Sequence, residues 1–125
     1  MHENDLSYAI RGAAFKVYNE LGPGLLESVY EAAMAFELEK DGYTVHKQKA
    51  LPVKYQDQQL ELGFRLDLLV NERVIIEIKS VESLLPVHHK QLLTYLKLTH
   101  LKLGILINFN TDNLRQNIKR MVNNL

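Results

Sequence analysis

Three charged residues, Asp67, Glu77 and Lys79, lie inside the apolar runs of RLDLLVNERVIIEIKS, residues 65–80. Short runs of Leu, Val and Ile are typical of strands in a buried sheet. Burying a carboxylate or an ammonium group without a partner costs several kcal/mol. These side chains therefore need an ion-pair partner, a metal ion or a chemical role.

The alternation of side chains along a strand predicts which of these charges lie together. Glu77 and Lys79 share one face of their strand with Ile75, and Asp67 shares a face of the preceding strand with Arg65. The NER turn between the two strands is short, so Asp67 is expected to lie across from the Glu77 strand. One face would then hold two carboxylates and an ammonium group.

This set of side chains suits a hard divalent cation. Carboxylate oxygens of Asp67 and Glu77, with a third oxygen from a backbone carbonyl or another acid, are ligands that Mg²⁺ or Mn²⁺ prefers. Lys79 is placed to orient or deprotonate a water molecule, as in metal-assisted attack on a phosphodiester. The simpler alternative is a salt bridge between Glu77 and Lys79 on a half-exposed strand, because acid-x-lysine triplets are common by chance.

Further polar residues fall on predicted helices. Glu27 and Tyr30 in GLLESVY lie three residues apart on one helix face, although a first-turn glutamate also complements the helix dipole. His88, Gln91 and Tyr95 form a polar strip on a later helix, where glutamine and tyrosine are able to donate hydrogen bonds to phosphate oxygens. The alternative is that this strip is a solvated helix edge.

The hydrophobic pattern predicts alternating groups of helices and strands. Strands 43–55, 60–70 and 74–80 are expected to form an antiparallel meander, and a helix between two strands implies a parallel pairing. The last segment has apolar residues at helical spacing, which predicts an amphipathic C-terminal helix. Those apolar residues are Leu114, Ile118, Met121, Val122 and Leu125. The expected helices cover residues 4–21, 25–42, 84–100 and 111–125, and a fourth strand covers 101–110.

Length and composition limit the classes of protein. The chain has 125 residues, which predicts a single domain over 1–125, and no cysteine, which excludes thiolate metal sites. The 15 basic and 15 acidic residues cancel, which argues against gripping a polyanion by bulk charge. The first residues, MHENDLSYAI, lack a basic segment followed by an apolar run, so we expect a cytoplasmic protein without a membrane span.

Taken together, an acid in the second helix, Asp67, the triplet Glu77-Ile78-Lys79 and the later Gln91-x-x-x-Tyr95 resemble the PD-(D/E)XK nuclease superfamily. GLLESVY, followed by DLLV, IEIKS and ILINFN, is more specifically similar to its small GxxExxY family. The resemblance implies a mixed α/β fold with a restriction-endonuclease-like αβββαβ core and an extra helix at each end. Leu66 stands where the superfamily name has proline.

The resemblance also implies a metal site. Asp67 and Glu77 would ligate Mg²⁺ or Mn²⁺, with the carbonyl of Ile78 as a further ligand. Glu27 would add a carboxylate, directly or through water.

The remaining motif residues would act on the substrate. Lys79 would position the attacking water and stabilise developing charge, while Gln91 and Tyr95 would orient the lysine or a substrate phosphate. The implied function is a Mg²⁺-dependent nuclease that hydrolyses nucleic-acid phosphodiesters, DNA more than RNA.

Two other functions fit the same residues. One is a catalytically inactive nuclease-fold module that binds nucleic acid or a protein partner, which the zero net charge and small size favour. The other is a structural homo-oligomer that uses the predicted C-terminal helix as its interface.

Overall fold

The computed structural model describes residues 1–60 and 63–125, and within them the chain forms a mixed sheet flanked by helices. This confirms the predicted fold class. The helices are α1 (Glu3–Leu21), α2 (Glu27–Lys40) and α3 (Pro86–Thr99), with a short 3₁₀ helix at Leu114–Asn117, and the strands are β1 (Val45–Tyr55), β2 (Gln58–Val70), β3 (Val74–Lys79), β4 (Leu103–Asn108) and β5 (Ile118–Val122).

The sheet has the spatial order β1-β2-β3-β4-β5. The pairs β1–β2 and β2–β3 are antiparallel, as the predicted meander requires. The pair β3–β4 is parallel, because the connection between these two neighbouring strands runs through α3 on one face of the sheet. The two faces of the sheet are thereby covered by different helices.

Helices α1 and α2 pack on one face and α3 on the other. The alternation along β3 decides this division, because Ile76 and Ile78 join the α1–α2 core while Ile75 joins the α3 core. Helix α3 approaches the sheet closely at Gly104, where an added Cβ would lie 2.7 Å from Leu92 Cδ1. Glycine at this position therefore sets the spacing between α3 and β4.

Strands β2 and β3 separate after a short paired region. Residues 68–70 of β2 pair with residues 74–76 of β3. Beyond that region β2 continues as a hairpin with β1, while β3 continues beside β4. A fork opens between the strands at Asp67 and Glu77, and this fork holds the charged residues of the sequence motif.

The predicted C-terminal helix over 111–125 is wrong. After the 3₁₀ helix, the segment forms β5, which pairs antiparallel with β4 from Ile107 with Ile118 to Leu103 with Val122. Every residue of β4 is buried. Pairing the backbone groups along the outer edge of that strand outweighs the helical spacing of the apolar residues. The homo-oligomer hypothesis loses its basis, because it required that helix.

In the described part of the chain, no helix combines the length and apolar character needed to cross a membrane.

Candidate active site

The carboxylates of Asp67 and Glu77 join the two strands where the backbone pairing ends. The Asp67 N–H donates to Glu77 Oε2 at 2.9 Å, and the Ile78 N–H donates to Asp67 Oδ2 at 2.8 Å. Beyond the paired region, each carboxylate thus accepts a hydrogen bond from a backbone N–H of the opposite strand, in place of a backbone carbonyl. One oxygen of each carboxylate is fixed by these bonds, and the second oxygen lies outside them.

Both carboxyl groups are harder to ionise than usual. Glu77 is only 5% exposed, and burial, followed by repulsion from Asp67, raises its pKa from 4.5 to about 8. Burial also raises the pKa of Asp67. In the metal-free protein Glu77 therefore keeps its proton at neutral pH, and a bound cation would favour the release of that proton.

Lys79 lies near both carboxylates without forming an ion pair with either in the described residues. Its positive charge lowers the pKa of Asp67 and of Glu77, against the effect of burial. The salt-bridge alternative for Glu77 and Lys79 is therefore wrong. The ion pairs found among the described residues join His46 to Glu72 and Arg73 to Glu3.

Helix α2 brings Glu27 to the end of β3. Glu27 is the first residue of the helix and is exposed. Its Oε1 accepts a long hydrogen bond from the Ser80 N–H at 3.4 Å, and the Ser80 hydroxyl donates to the Leu25 carbonyl at 2.6 Å. The start of α2 is thereby tied to the residue that follows Lys79.

Tyr30 explains the spacing of GLLESVY in structural terms. Its side chain is fully buried and stacks on Phe109, with ring centroids 4.4 Å apart. Its hydroxyl donates to the Gly22 carbonyl at 2.6 Å and accepts from the Leu25 N–H at 3.1 Å. Tyr30 therefore fixes the loop before α2, and so fixes where Glu27 begins.

Replacing Tyr30 by phenylalanine is expected to destabilise the protein by about 1–3 kcal/mol, because two part-buried hydrogen bonds to the backbone are lost while the ring stacking is kept. Urea denaturation measures this change. Tyr8→Phe is the matched control, since Tyr8 is 82% exposed. Equal stability of the two variants would show that the Tyr30 hydroxyl does not hold the loop.

Helix α3 places Tyr95 beside the carboxylates from the other face. Tyr95 is 6% exposed and stacks on Phe64 at 4.1 Å between centroids. Burial first, then the charges of Glu77 and Asp67, raise its pKa, and the neighbouring Gln91 side chain partly offsets the rise. Gln91 is exposed. Tyr95 is therefore a buried residue next to the acids, and the solvated-edge interpretation is wrong for it.

His88 caps the start of α3. Its ring Nδ1 accepts from the Leu85 backbone N–H at 3.0 Å. The His88 backbone N–H in turn donates to the Leu85 carbonyl at 3.0 Å. Burial, then the charges of Lys79 and His89, lower the pKa of His88. The ring is thus held neutral as a helix cap close to Lys79.

Two residues at the site escaped the sequence analysis. Gln48 Nε2 donates to both oxygens of Glu31, at 3.0 and 2.9 Å, and lies 3.4 Å from Asp67 Oδ1. Burial is the main cause that raises the pKa of Glu31. Glu31 follows Glu27 by one helical turn, so the i, i+4 spacing was a readable signal. Gln48 offered none.

The donor set fits a hard divalent ion. Within residues 1–60 and 63–125, no group of three or more His, Cys, Asp or Glu side chains converges closely enough to hold a metal. Mg²⁺, however, is often bound through only one or two protein carboxylates, its other positions being filled by water and substrate phosphate. The half-buried Asp67 and the buried Glu77 provide two such carboxylates.

The family model for the PD-(D/E)XK nuclease superfamily matches residues 4–121. No curated protein and no solved structure matches the chain. The family match runs from α1 into β5 and includes the fork, the acids and Lys79. The chain belongs to the PD-(D/E)XK nuclease superfamily.

Proposed function

We propose that residues 1–125 form one nuclease domain, which hydrolyses phosphodiester bonds in nucleic acid, DNA more than RNA, with Mg²⁺ or Mn²⁺. One observation carries the proposal: Asp67 and Glu77 are held together at a strand fork although both have raised pKa values. Two acidic groups in a partly dry site, where ionising both is unfavourable, cost stability, and proteins keep such costs mainly at functional sites.

The metal would be held by the acids of the fork. Asp67 and Glu77 are the central ligands of this proposal, with the Ile78 carbonyl and the Glu27 carboxylate as further oxygen donors. When bound, the ion supplies positive charge that polarises the phosphate and makes water more acidic.

Lys79, Tyr95 and Gln91 would act on water and substrate. The Lys79 ammonium, close to both acids, orients the attacking water and stabilises negative charge on the phosphate as the bond breaks. The raised pKa keeps the Tyr95 hydroxyl protonated, so that it remains a hydrogen-bond donor. Gln91 then orients Tyr95 or a phosphate oxygen from the exposed side.

We also assign the chain to the GxxExxY family and to the cytoplasm. The positions of Glu27 and Tyr30 support the family assignment, because the tyrosine fixes the loop and the glutamate projects from the first turn of α2. The absence of cysteine is compatible with a reducing compartment.

Cleavage of a nucleic-acid panel tests this function. Single- and double-stranded DNA and RNA are incubated with the wild type in Mg²⁺, in Mn²⁺ and in EDTA. We expect strand cleavage only with metal, and none with Lys79→Ala. Cleavage that survives in Lys79→Ala would belong to another site or a contaminant. Metal-independent binding without cleavage would instead establish the inactive module that binds nucleic acid or a protein partner.

A further inference from the structure

The zero net charge of the chain conceals an uneven distribution of charge. Helices α1 and α2 together contain seven acidic and three basic residues, whereas α3 contains two lysines, two histidines and no acidic residue. From residue 83 to residue 125 the sequence has six basic residues and one acidic residue, Asp112. Because α1 and α2 cover one face of the sheet and α3 covers the other, the α3 face has the more positive charge.

A groove on this face lies between the C-terminal half of α3 and the hairpin of β1 and β2. Its volume is about 450 Å³. The described residues that line the groove are Pro52, Lys54, Gln59, Lys97, Leu98 and His100, and none of them is acidic. Lys54 and Lys97 are exposed, and neither forms an ion pair with another described residue. The groove is therefore positively charged.

The groove continues from the candidate active site. Leu98 follows Tyr95 by three residues, so the two side chains lie on neighbouring turns of one helix face. Tyr95 stacks on Phe64 beside the acids. Leu98 lines both the groove and a second space of about 330 Å³, which reaches Leu66 and Leu69 of β2. A polymer bound at the acids thus has a path across Leu98 into the groove.

The lining of the groove combines positive charge with apolar surface. Lys54 supplies an ammonium group from the hairpin and Lys97 supplies one from the helix, while Pro52 and Leu98 supply apolar surface, Leu98 being 44% exposed. Unpaired nucleic acid suits this combination, because lysines bind its phosphates and apolar side chains pack against its bases. A space of this volume holds a ligand about as large as a nucleotide, so it admits a single strand and excludes a duplex.

We propose that this groove binds a single-stranded segment of the nucleic-acid substrate, with Lys54 and Lys97 contacting phosphates and Leu98 contacting bases. The proposal rests on the proposed function, because the strand would run from the groove to Asp67 and Glu77. It narrows the substrate to nucleic acid that is single-stranded beside the cleaved bond. It also explains how a chain without net charge holds a polyanion.

Fluorescence anisotropy tests the two lysines. Labelled single-stranded DNA and RNA are titrated with protein in EDTA over a series of NaCl concentrations. Each phosphate contact to a single strand contributes about 0.7 to the steepness of log affinity against log salt. We expect this steepness to fall by about 0.7 in Lys54→Ala and in Lys97→Ala, and by about 1.4 in the double variant. Both lysines are exposed, so the variants keep their fold.

The double variant Lys16→Ala/Lys40→Ala is the matched control. Lys16 on α1 and Lys40 on α2 are exposed, so this variant loses the same charge from the opposite face. Its salt dependence should equal that of the wild type. Equal losses in this control and in the groove variant would show that overall charge alone matters, and would overturn the proposal.

Leu98→Glu tests where the strand lies. A carboxylate at this position would repel phosphates in the groove, so we expect the affinity for single strands to fall at least about 10-fold. Phe36→Glu adds the same charge at a residue of α2 that is 64% exposed, and it should bind like the wild type. Wild-type affinity in Leu98→Glu would overturn the proposal.

The same DNA annealed to its complement tests the preference for single strands. We expect the duplex to bind more weakly than the single strand. Equal or tighter binding of the duplex would overturn the proposal, as would a wild type that binds neither single-stranded DNA nor single-stranded RNA.

The outcomes separate the groove from the proposed function. Strand binding that depends on Lys54 and Lys97, without cleavage in Mg²⁺ or Mn²⁺, would support the groove and contradict the nuclease. Metal-dependent cleavage with unchanged strand binding in the double variant Lys54→Ala/Lys97→Ala would support the nuclease and overturn the groove.

Discussion

Cleavage is expected to fall by at least about 100-fold in Asp67→Asn, while the metal-free protein stays at least as stable as the wild type. The amide oxygen of asparagine is able to accept the Ile78 N–H that now bonds to Asp67 Oδ2 at 2.8 Å. The substitution therefore keeps the hydrogen bond at the fork and removes the charge. Since burial already disfavours that charge, its removal relieves strain rather than adding it.

Cleavage assays in Mg²⁺ and urea denaturation in EDTA measure the two effects. Asp41→Asn is the control, because Asp41 is exposed at the end of α2 and should change neither quantity. A clear loss of metal-free stability in Asp67→Asn, together with retained cleavage, would assign Asp67 to the fold alone.

The stability of the metal-free protein is expected to decrease as the pH rises from about 5 to about 8, because of Glu77. Its pKa is raised from 4.5 to about 8 in the folded state. Between these values the folded protein binds a proton that the unfolded chain has released, so raising the pH favours unfolding. One such proton corresponds to about 1.4 kcal/mol for each pH unit. Asp67, whose pKa is also raised, adds a dependence of the same sign.

Glu77→Gln should flatten this dependence. A neutral amide has no proton to lose in this range, and its oxygen is able to accept the Asp67 N–H that now bonds to Glu77 Oε2. The variant should therefore exceed the wild type in stability at pH 8, and by much less at pH 5. Urea denaturation in EDTA at pH 5, 6, 7 and 8 gives the comparison.

Glu39→Gln, an exposed change on α2, controls for the loss of one acidic residue and should follow the wild type. If Glu77→Gln showed the same pH dependence as the wild type, the raised pKa of Glu77 would not be the cause. Adding Mg²⁺ to the wild type at pH 8 should restore stability, because a ligand that binds only the folded state stabilises it.

Local pattern was sufficient to predict the antiparallel pairing of β2 with β3 and the acids that it brings together, although not the fork between the two strands. Alternation placed Ile75, Glu77 and Lys79 on one face of β3, and Ile75 indeed lies in the core under α3. The short turn after β2 brought Asp67 next to Glu77, where each contacts the backbone of the opposite strand. Such predictions succeed because they depend on residues close in sequence.

The C-terminal segment shows where local pattern fails. Apolar residues spaced by three and four favour a helix, but the backbone groups along the edge of β4 needed a partner strand. That need arises only after β4 has joined the sheet. No property of residues 111–125 alone reveals it.

The site residues that were missed depend on tertiary structure. Glu31 becomes a site residue only because α2 crosses the fork, and Gln48 reaches it only because its backbone is left-handed. Tyr95 was predicted as a site residue, but its burial was not, because that burial depends on stacking against Phe64. These features come from contacts between elements, which a single sequence does not show.

The most direct test of the cation site is calorimetric titration of Mn²⁺ into the wild type and Asp67→Asn at neutral pH, without substrate. We expect saturable binding to the wild type and its loss in the variant, whose metal-free form remains folded. Equal binding by both proteins, or no binding by the wild type, would contradict a metal site formed by Asp67 and Glu77.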